Sequence, residues 1–333
     1  MSLMKGWQYA STTGGIEKHL RLRDDLPHPS ADSLSRDQVL IESLYVSLNP
    51  ADYKGPEGGF FTRLQLRLPA TPGYDFCGRV QAVHPSSQLF KPGDLVFGNL
   101  GHPRKYGTLC QYFVAYGSYC VPVPEGLSLE HAAAIGSVGI AAYKAVAPYI
   151  KSGHKVFING GSGGVGIFAI QIARILGAEV TVSCSTRNKE FCQGLGAHVI
   201  DYTQGDLIGL LQEHGQMFDH VVDNVGTTPE LYSHAHLFTK PDARIAQVGA
   251  ETLWGLLYPQ LVPSFLGGSQ RRTCFVIGLP NREDLTVLGN WVAEGKIRIH
   301  IDEKFPFEHA IQAFEKLKTG HVRGKIIVEV SAP

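Results

Sequence analysis

The residues whose types and spacing point most clearly to chemistry lie in one glycine-rich segment, 155–177. Gly161, Gly163 and Gly166 form the pattern G-x-G-x-x-G, directly after an apolar run and directly before a helical stretch. In a strand–turn–helix unit, the first glycine permits a tight turn, the second lets the backbone approach a pyrophosphate, and the third allows close packing of helix on strand. The N–H groups at the helix N-terminus attract the phosphates. The segment therefore predicts dinucleotide binding; the alternative is a glycine-rich turn that serves packing alone.

The end of the next predicted strand indicates which dinucleotide binds. An acidic residue about 20 residues beyond the loop would bind a ribose 2′-hydroxyl and favour NAD, yet Thr181–Asn188 contains no carboxylate. Ser185, Thr186 and Arg187 stand there instead, and hydroxyl and guanidinium donors suit a 2′-phosphate. With Tyr202 at the end of the third strand, they predict NADPH as the cofactor. The alternatives are a solvated Arg187 at a helix start and an ordinary strand-end Tyr202.

Strands and helices alternate after residue 155, and this alternation must position the residues named above. The predicted strands are 156–158, 180–182, 199–200, 221–222, 245–248 and 274–277, most of them separated by helical segments. Strands that recur between helices imply right-handed crossovers and a parallel sheet covered on both faces. The fold class is therefore α/β, with a doubly wound parallel sheet of Rossmann type.

Residues 38–123 show a different pattern, in which short β-type runs are separated by Pro and Gly. This pattern predicts a β-rich, barrel-like module in front of the parallel sheet. We therefore expect a first domain over 1–125, a dinucleotide-binding domain over 126–270, and a C-terminal segment, 271–333, that completes the sheet and returns to the first domain.

Composition restricts the class of protein further. Hydrophobic residues make up 44% of the 333 residues, and 30 Lys and Arg balance 30 Asp and Glu, which argues against disorder and against a nucleic-acid partner. The six cysteines contain no C-x-x-C pair and are expected to be reduced thiols. Residues 1–10 lack the apolar region of a secretory signal, and the most apolar stretch, 132–150, contains Lys144 and Pro148. We therefore expect no membrane association and a cytoplasmic location.

Motifs spread over the whole chain carry a resemblance to a known family. They are Ser47–Lys54, Pro72–Gly78, Lys91–Phe97, Gly160–Gly166, Phe218–Gly226 and Arg323–Val328. The chain resembles a zinc-free member of the medium-chain dehydrogenase/reductase superfamily, in its quinone oxidoreductase and enoyl reductase branch. Within that branch it is similar to fungal secondary-metabolism reductases and to the mitochondrial reticulon-interacting reductase. The resemblance implies that the first domain is a GroES-like catalytic domain.

The same resemblance argues against a zinc ion. Zinc-dependent members use an early Cys and a Gly-His-Glu motif, whereas this chain has Asn49 near the first position and Gly73-Tyr74-Asp75 at the second. The four-cysteine lobe that holds a structural zinc ion is also missing, and His234 and His236 are the only close pair of histidines. No metal site is therefore expected.

Without zinc, reduction of a conjugated C=C is favoured over reduction of a simple carbonyl. NADPH would add hydride to the β-carbon, negative charge would move to the carbonyl oxygen, and a proton would reach the α-carbon. The resemblance places the loop 49–54 beside the nicotinamide, so Lys54, then Tyr53 and Asn49, are the predicted catalytic donors. The alternative is a turn at Asn49, a packed Tyr53 and a solvated Lys54. Some related enoyl reductases use a tyrosine slightly downstream, where this chain has Phe60-Phe61, which leaves water or Lys54 as the proton donor.

The resemblance also implies the remaining cofactor contacts, each with a plain strand-end turn as its alternative. Some of these residues belong to the glycine loop and would contact the pyrophosphate. Others lie after the fourth strand, near the ribose or along the nicotinamide. The full predicted set is Gly161, Ser162, Gly163, Gly164, Val165, Gly166, Ser185, Thr186, Arg187, Asn188, Tyr202, Asn224, Gly226, Val248, Gly249, Phe275, Ile277, Gly278 and Lys325.

Three functions stay open on the sequence. The first is an NADPH-dependent reductase of an enone, enoyl thioester or quinone; the second is an NADPH-linked carbonyl or imine reductase or an alcohol dehydrogenase. The third is an NADPH-binding partner or sensor without turnover. The aromatic loops 60–64 and 254–265 suggest a small, largely apolar substrate. A homodimer formed through the edge strand 274–277 and a polyketide-synthase partner are the expected interactions.

Overall fold

The computed structural model describes residues 2–58, 67–102, 105–250 and 252–332. The chain forms two compact units, one of Met1–Ile140 with Leu279–Pro333 and the other of Ala141–Gly278. The sequence predicted divisions at 125 and 270 instead. The helix Leu129–Ala133 groups with the first unit, because Ala132 and Ala133 are fully buried and the helix packs against strands of that unit.

The described elements are numbered in chain order. The strands are β1 (Leu3–Tyr9), β2 (Leu20–Pro27), β3 (Gln38–Leu48), β4 (Asp75–Val83), β5 (Leu95–Asn99), β6 (Tyr112–Tyr116), β7 (Cys120–Pro122), β8 (Lys155–Asn159), β9 (Glu179–Cys184), β10 (His198–Asp201), β11 (Phe218–Asp223), β12 (Thr239–Gln247), β13 (Arg272–Phe275), β14 (Ile301–Pro306) and β15 (Lys325–Glu329). The α-helices are α1 (Pro50–Glu57), α2 (Leu129–Ala133), α3 (Gly136–Val146), α4 (Gly164–Ile175), α5 (Lys189–Gly194), α6 (Leu207–Gln212), α7 (Glu230–Ser233), α8 (Leu253–Leu261), α9 (Arg282–Ala293) and α10 (Ala310–Lys318). Short 3₁₀ turns lie at Ile16–Lys18, Ala31–Ser33, Gly117–Tyr119, Thr186–Asn188, Ala235–Leu237, Ser264–Leu266 and Phe307–His309.

The second unit is built on a parallel sheet with the strand order β10-β9-β8-β11-β12-β13. Its central strands β8 and β11 are mostly buried, with the apolar residues 156–158 and 221–222 at their centres, as expected where helices cover both faces. The strand order reverses between β8 and β11, and ligands of such sheets bind beyond the carboxyl ends of the strands at this point. The predicted doubly wound parallel sheet is confirmed.

The first unit contains a sheet with the order β14-β15-β3-β4-β5-β7, in which β6 also pairs with β3. Its pairs are antiparallel except for β14 with β15. Strand β15 joins this sheet directly beside β3, with Ile326 opposite Leu48. The predicted β-rich module and the predicted return of the C-terminal segment to it are therefore both present.

Two apolar clusters stabilise the first unit. One joins the N-terminal hairpin, β3, β15 and α10 through residues such as Trp7, Val46 and Phe314, with Tyr53 packed at its margin. The other lies under β4, β5 and β6 around Phe76 and Phe113. Helix α1 lies against the first cluster, so the position of its side chains depends on residues from both ends of the chain. No helix among the described residues is long and apolar enough to cross a membrane.

Candidate functional site

The glycine loop, residues 160–163, connects β8 to α4 at the centre of the parallel sheet. A Cβ at Gly161 would lie 2.6 Å from the Cβ of Val182, and one at Gly166 would lie 2.2 Å from the Gly160 carbonyl oxygen. Gly160 itself has a φ of 81°. Packing and backbone conformation therefore require these three glycines, whether or not a ligand binds.

Gly163 differs from its neighbours because the protein itself leaves space around it. A Cβ at this position would meet only the Gly160 carbonyl oxygen, at 3.8 Å. Its φ of −77° suits any residue. Gly163 also lies directly before α4, where the first helical N–H groups have no partner within the helix. A glycine that the fold does not need fits a backbone that a pyrophosphate must approach closely.

A buried polar network holds the glycine loop against its neighbouring strands. The Asn159 amide donates to the Asp223 carboxylate at 2.9 Å, and its oxygen accepts from the Ser183 hydroxyl at 2.6 Å. The Ser183 hydroxyl oxygen in turn accepts from the Gly160 N–H at 2.9 Å, and the Ser183 carbonyl accepts from the Gly161 N–H at 2.9 Å. The network joins the ends of β8, β9 and β11, so the loop is rigid before any ligand binds.

The turns after β11 and β12 bring four of the predicted cofactor residues together. A Cβ at Gly226 would lie 2.1 Å from the Gly249 carbonyl oxygen, and the Val248 N–H donates to the Asp223 carbonyl at 2.8 Å. Neither polar atom of the Asn224 amide has a hydrogen-bond partner among the described residues, although both are shielded from solvent. Leaving a shielded amide unsatisfied is costly. Its donor and acceptor therefore fit a polar ligand at this edge of the sheet.

The predicted ribose residues lie beyond the ends of β9 and β10. The Asn188 amide donates to the Ser162 hydroxyl at 3.0 Å, which links this region to the glycine loop. The Thr186 hydroxyl donates to Asp201 at 2.6 Å. Arg187 is exposed, and Tyr202 is 51% exposed. The Asn188–Ser162 hydrogen bond thus joins the residues predicted to contact phosphates and ribose, and Asp201, which the sequence analysis did not include among the site residues, contacts Thr186.

The remaining predicted cofactor residues are Phe275, Ile277 and Gly278, at or after β13, where Phe275 lies opposite Gln247 of β12, and Lys325 of the first unit. Phe275 ends the edge strand β13 and Ile277 lies beyond it, and they are 41% and 62% exposed. Gly278 is the last residue of the second unit. Lys325 belongs to the first unit, where it is 2% exposed and its ammonium donates to the Leu48 carbonyl and the Asn49 side chain.

Helix α1 carries two of the predicted catalytic donors, Tyr53 and Lys54, and the third, Asn49, caps its start. Lys54 is exposed. Tyr53 is half-buried, and the Lys318 ammonium lies 5.0 Å from the centre of its ring. Asn49 is buried, and its amide donates to the Ser47 carbonyl at 3.2 Å and to Asp75 at 2.8 Å. Both hydrogens of the Asn49 amide are thus donated within the protein. Phe60 and Phe61 lie outside the described residues.

A buried ionic cluster surrounds the start of α1. Lys325 lies 3.6 Å from the Asp75 carboxylate, which also accepts from Asn99 and Ser137. The Asp52 carboxylate, 1% exposed, accepts from the Asn49 N–H at 2.6 Å, and its other oxygen has no hydrogen-bond partner among the described residues. Burial, together with the charge of Asp75, raises the pKa of Asp52 to about 7. Burial also lowers the pKa of Lys325 despite both carboxylates.

Sequence reasoning missed several of these residues. Asp52, Asp75 and Asp223 stand inside motifs that carry the family resemblance, but their types alone did not distinguish a structural role from a functional one. Asp201 was missed because the search for an acidic residue was confined to the end of β9, whereas Asp201 lies opposite Cys184 on the adjacent strand. The signal that could have identified Asp201 is that the ends of neighbouring parallel strands lie side by side, so that the end of β10 also had to be searched for an acidic residue.

Comparison with known proteins defines the class. The family model described as an alcohol dehydrogenase GroES-like domain matches residues 35–125, and the one described as a zinc-binding dehydrogenase matches residues 195–328. The chain is 42% identical to the trans-enoyl reductase pgmF of Aspergillus terreus, over 99% of this chain and 97% of that protein. It is 30% identical to a chloroplast envelope quinone oxidoreductase homolog of Arabidopsis thaliana, over 98% of each. The solved quinone oxidoreductase of Coxiella burnetii matches with a TM-score of 0.87 and 32% identity, over 99% of this chain and 100% of that one.

The protein is therefore an oxidoreductase whose α/β fold combines a GroES-like domain with a Rossmann-type sheet. It belongs to the medium-chain dehydrogenase/reductase superfamily, and its relatives include trans-enoyl reductases and quinone oxidoreductases. The predicted resemblance and the GroES-like domain are confirmed. Membership of a dehydrogenase family implies a nicotinamide cofactor, and the open Gly163 and the unsatisfied Asn224 fit such a ligand.

The residues at the zinc positions of the family do not fit a zinc ion. The Asn49 amide donates to Asp75 at 2.8 Å, and the Lys325 ammonium donates to the Asn49 side chain and lies 3.6 Å from the Asp75 carboxylate. A second cation there would be repelled by the ammonium. Among the described residues, no group of three or more His, Cys, Asp or Glu side chains is arranged to hold a metal ion.

Proposed function

We propose that the protein is an NADPH-dependent reductase that transfers hydride to the conjugated C=C of an enone, enoyl thioester or quinone, without a metal ion. The observation that carries this proposal is the edge of the parallel sheet, where an unobstructed Gly163 and an unsatisfied Asn224 lie beside a pre-organised glycine loop. The names of the relatives, trans-enoyl reductase and quinone oxidoreductase, support the reaction class.

The cofactor residues divide by the part of the ligand that they would contact. Ser162, Gly163 and the first turn of α4 would bind the pyrophosphate, and Asn224 would bind a polar group of the cofactor near the turns after β11 and β12. Arg187 and Ser185 would bind a 2′-phosphate. Arg187 favours NADPH because a guanidinium pairs with a phosphate dianion more strongly than with a ribose hydroxyl.

When bound, the nicotinamide supplies the hydride. Lys54 is assigned the donor role because its ammonium is exposed, whereas both amide hydrogens of Asn49 are already donated. Lys54 would stabilise the negative charge at the carbonyl oxygen, and the α-carbon would receive its proton from Lys54 or water. Tyr53 would shape the site, since its ring is packed between the core and Lys318. Asn49 would hold the start of α1.

The absence of a metal from this reaction is supported by Lys325. The Lys325 ammonium donates to Asn49 and lies 3.6 Å from Asp75, and the resemblance aligns these two residues with the zinc-ligand motifs of the zinc-dependent members. Hydride addition to a conjugated C=C spreads the developing charge, so positioned donors replace a Lewis acid.

Several predictions about the surroundings of the reaction remain proposals. The substrate is a small, largely apolar molecule, and Phe275 and Ile277 at the exposed edge of β13 support a homodimer. A polyketide-synthase partner rests on the sequence resemblance, and a cytoplasmic location stays a prediction.

The test is oxidation of NADPH and of NADH against a 1,2-quinone, a conjugated enone, an enoyl thioester and their saturated ketone analogues. Turnover confined to the conjugated acceptors, with NADPH preferred, is the expected result. Turnover of saturated ketones would assign the protein to carbonyl reduction instead. Tight NADPH binding without turnover of any acceptor would assign it a role as a cofactor-binding partner.

The role of Lys54 is tested by Lys54→Met, which keeps an unbranched side chain only one atom shorter and removes the charge. We expect kcat to fall about 10- to 100-fold while NADPH affinity stays unchanged. Lys91→Met, at an exposed lysine of the same unit, is the matched control. Equal kcat values for the two variants would exclude Lys54 as the donor.

A further inference from the structure

A carboxylate faces the predicted 2′-phosphate residues from the neighbouring strand. Asp201 ends β10 and lies opposite Cys184, the last residue of β9. Its carboxylate accepts from the Thr186 hydroxyl at 2.6 Å, and from the hydroxyl and N–H of Thr203 at 2.6 and 3.0 Å. Asp201 is thus fixed within hydrogen-bond distance of a residue that the sequence assigns to the 2′-phosphate.

Asp201 is ionised at neutral pH. The hydroxyls of Thr186 and Thr203 hydrogen-bond to the charged form and lower the pKa of Asp201 further below its ordinary value, and the positive charge of Lys189 acts in the same direction. The region therefore combines two nearby cationic side chains, Arg187 and Lys189, with one permanent negative charge.

This arrangement changes what Thr186 can do. A threonine hydroxyl has one hydrogen, and here that hydrogen points to Asp201. The Thr186 oxygen also accepts from the Gln204 amide at 3.3 Å. Thr186 therefore presents no donor to a phosphate while Asp201 is ionised, although Ser185 and Arg187 still can.

We propose that Asp201 is a specificity-determining residue, whose carboxylate weakens binding of the 2′-phosphate and so reduces the preference for NADPH over NADH that Arg187 creates. This proposal depends on one part of the proposed function, the dinucleotide site, and does not depend on the reduction reaction. Two effects act together: the carboxylate repels the phosphate dianion, and it withholds the Thr186 hydroxyl hydrogen.

Asp201→Asn tests the proposal because it removes the charge with almost no change of shape. The asparagine amide can donate to the Thr186 oxygen, which frees the threonine hydrogen for a phosphate. Asp242→Asn is the matched control, since Asp242 is an exposed carboxylate of the same sheet, in the amino-terminal half of β12. Parallel strands place it at the edge of the sheet away from Asp201.

The measurement is titration calorimetry of the full chain with 2′,5′-ADP and with 5′-AMP, which differ only in the 2′-phosphate. In Asp201→Asn, affinity for 2′,5′-ADP should rise about three- to tenfold, with that for 5′-AMP unchanged. The gain should shrink in about 1 M salt, because salt screens exposed charges. Asp242→Asn should behave as the wild type.

Two results would overturn the proposal while leaving the cofactor site intact: a fall in 2′,5′-ADP affinity in Asp201→Asn, or an equal change for both nucleotides. The first would mean that Asp201 positions Thr186 as a phosphate ligand. Binding of neither nucleotide by the wild type would reject the dinucleotide site, and with it the proposed function. Failure to reduce any acceptor, with normal nucleotide binding, would leave the role of Asp201 standing.

Discussion

Asn159 and Asp223 share a hydrogen bond of 2.9 Å at the point where the strand order of the parallel sheet reverses. The two residues lie directly opposite each other at the ends of β8 and β11. Asn159 also holds Ser183, and Asp223 also accepts from the N–H groups of Val225 and Gly226. One side-chain pair therefore positions both the glycine loop and the turn that carries Asn224.

Removing the hydroxyl of Ser183 should loosen this arrangement. In Ser183→Ala, the Gly160 N–H loses its acceptor and Asn159 loses a donor, so we expect a loss of about 1–3 kcal/mol of stability and a nucleotide affinity lowered about tenfold. Urea unfolding and calorimetry measure the two effects. Thr181→Val, two residues earlier on the same strand, is the control. An affinity unchanged in Ser183→Ala would mean that the network does not shape the loop.

The glycines of the loop should respond differently to alanine. Gly163→Ala should leave stability unchanged, or raised by about 0.5 kcal/mol, because the added Cβ meets only one atom, at 3.8 Å. It should nevertheless weaken binding of NADPH by about tenfold or more, since the backbone can no longer be approached closely. Gly166→Ala should lower stability by about 1–3 kcal/mol or more, because its Cβ would lie 2.2 Å from a backbone oxygen. Thermal unfolding measures the stability of the two variants, and calorimetry measures their affinity for NADPH. Equal losses of stability would contradict the assignment of Gly163 to ligand binding and of Gly166 to packing.

Arg187 should determine the response to the 2′-phosphate. We expect Arg187→Ala to lower the affinity for NADPH about 10- to 100-fold, which corresponds to the loss of one charge-assisted hydrogen bond, and to leave the affinity for NADH unchanged. Fluorescence titration with both cofactors measures this. Arg272→Ala, at an exposed arginine at the start of β13, serves as the comparison. Equal losses of affinity for NADPH and for NADH would place Arg187 outside the 2′-phosphate site.

Asp52 should make the stability of the protein depend on pH. Its pKa is about 7 in the folded chain and about 3.8 when unfolded, so between these values the folded chain binds a proton that the unfolded chain releases. Stability should therefore fall as the pH rises from about 4 to 7, by up to about 1.4 kcal/mol per pH unit. In Asp52→Asn this contribution should disappear.

The measurement for Asp52 is urea unfolding at several pH values across that range. The groups that face Asp52 are the Asn49 N–H, the Asp75 carboxylate, the Lys325 ammonium and the hydroxyls of Tyr9 and Tyr74. Asp32→Asn, at an exposed carboxylate of the same unit, should keep the wild-type slope. An Asp52→Asn variant with that same slope would show that Asp52 is ionised in the folded chain.

The sequence predicted the parallel sheet and the glycine loop because both depend on local patterns. The apolar residues 156–158 of β8 and 221–222 of β11, and the spacing of the glycines, can be recognised without knowing which strands are neighbours. The hairpin β1–β2 was not predicted, since five consecutive residues of β2 are exposed and no alternation is visible. Helix α8 was also missed, and it contains Pro259.

The contacts between polar side chains of different strands could not be predicted from the sequence, for a different reason. Lys325 meets Asp75 only because β15 and β4 both flank β3, and Asp201 meets Thr186 only because β10 lies beside β9. Such contacts are set by strand order rather than by spacing along the chain. The donors of α1 were predicted by resemblance, but the commitment of the Asn49 amide to Ser47 and Asp75 required the structure.

The pairing of β15 with β3 has a consequence for how the protein is made. Strand β3 emerges early from a ribosome, and β6 pairs with Gln38–Glu42 on one of its edges, but the Tyr45–Leu48 part of that edge stays unpaired until residues 325–329 have been synthesised. The second unit is a continuous segment, Ala141–Gly278, and is complete well before then. The inserted cofactor-binding unit can therefore finish folding during translation, while the unit that surrounds it in the chain must wait for the last residues, with an open strand edge that invites misassociation until they arrive.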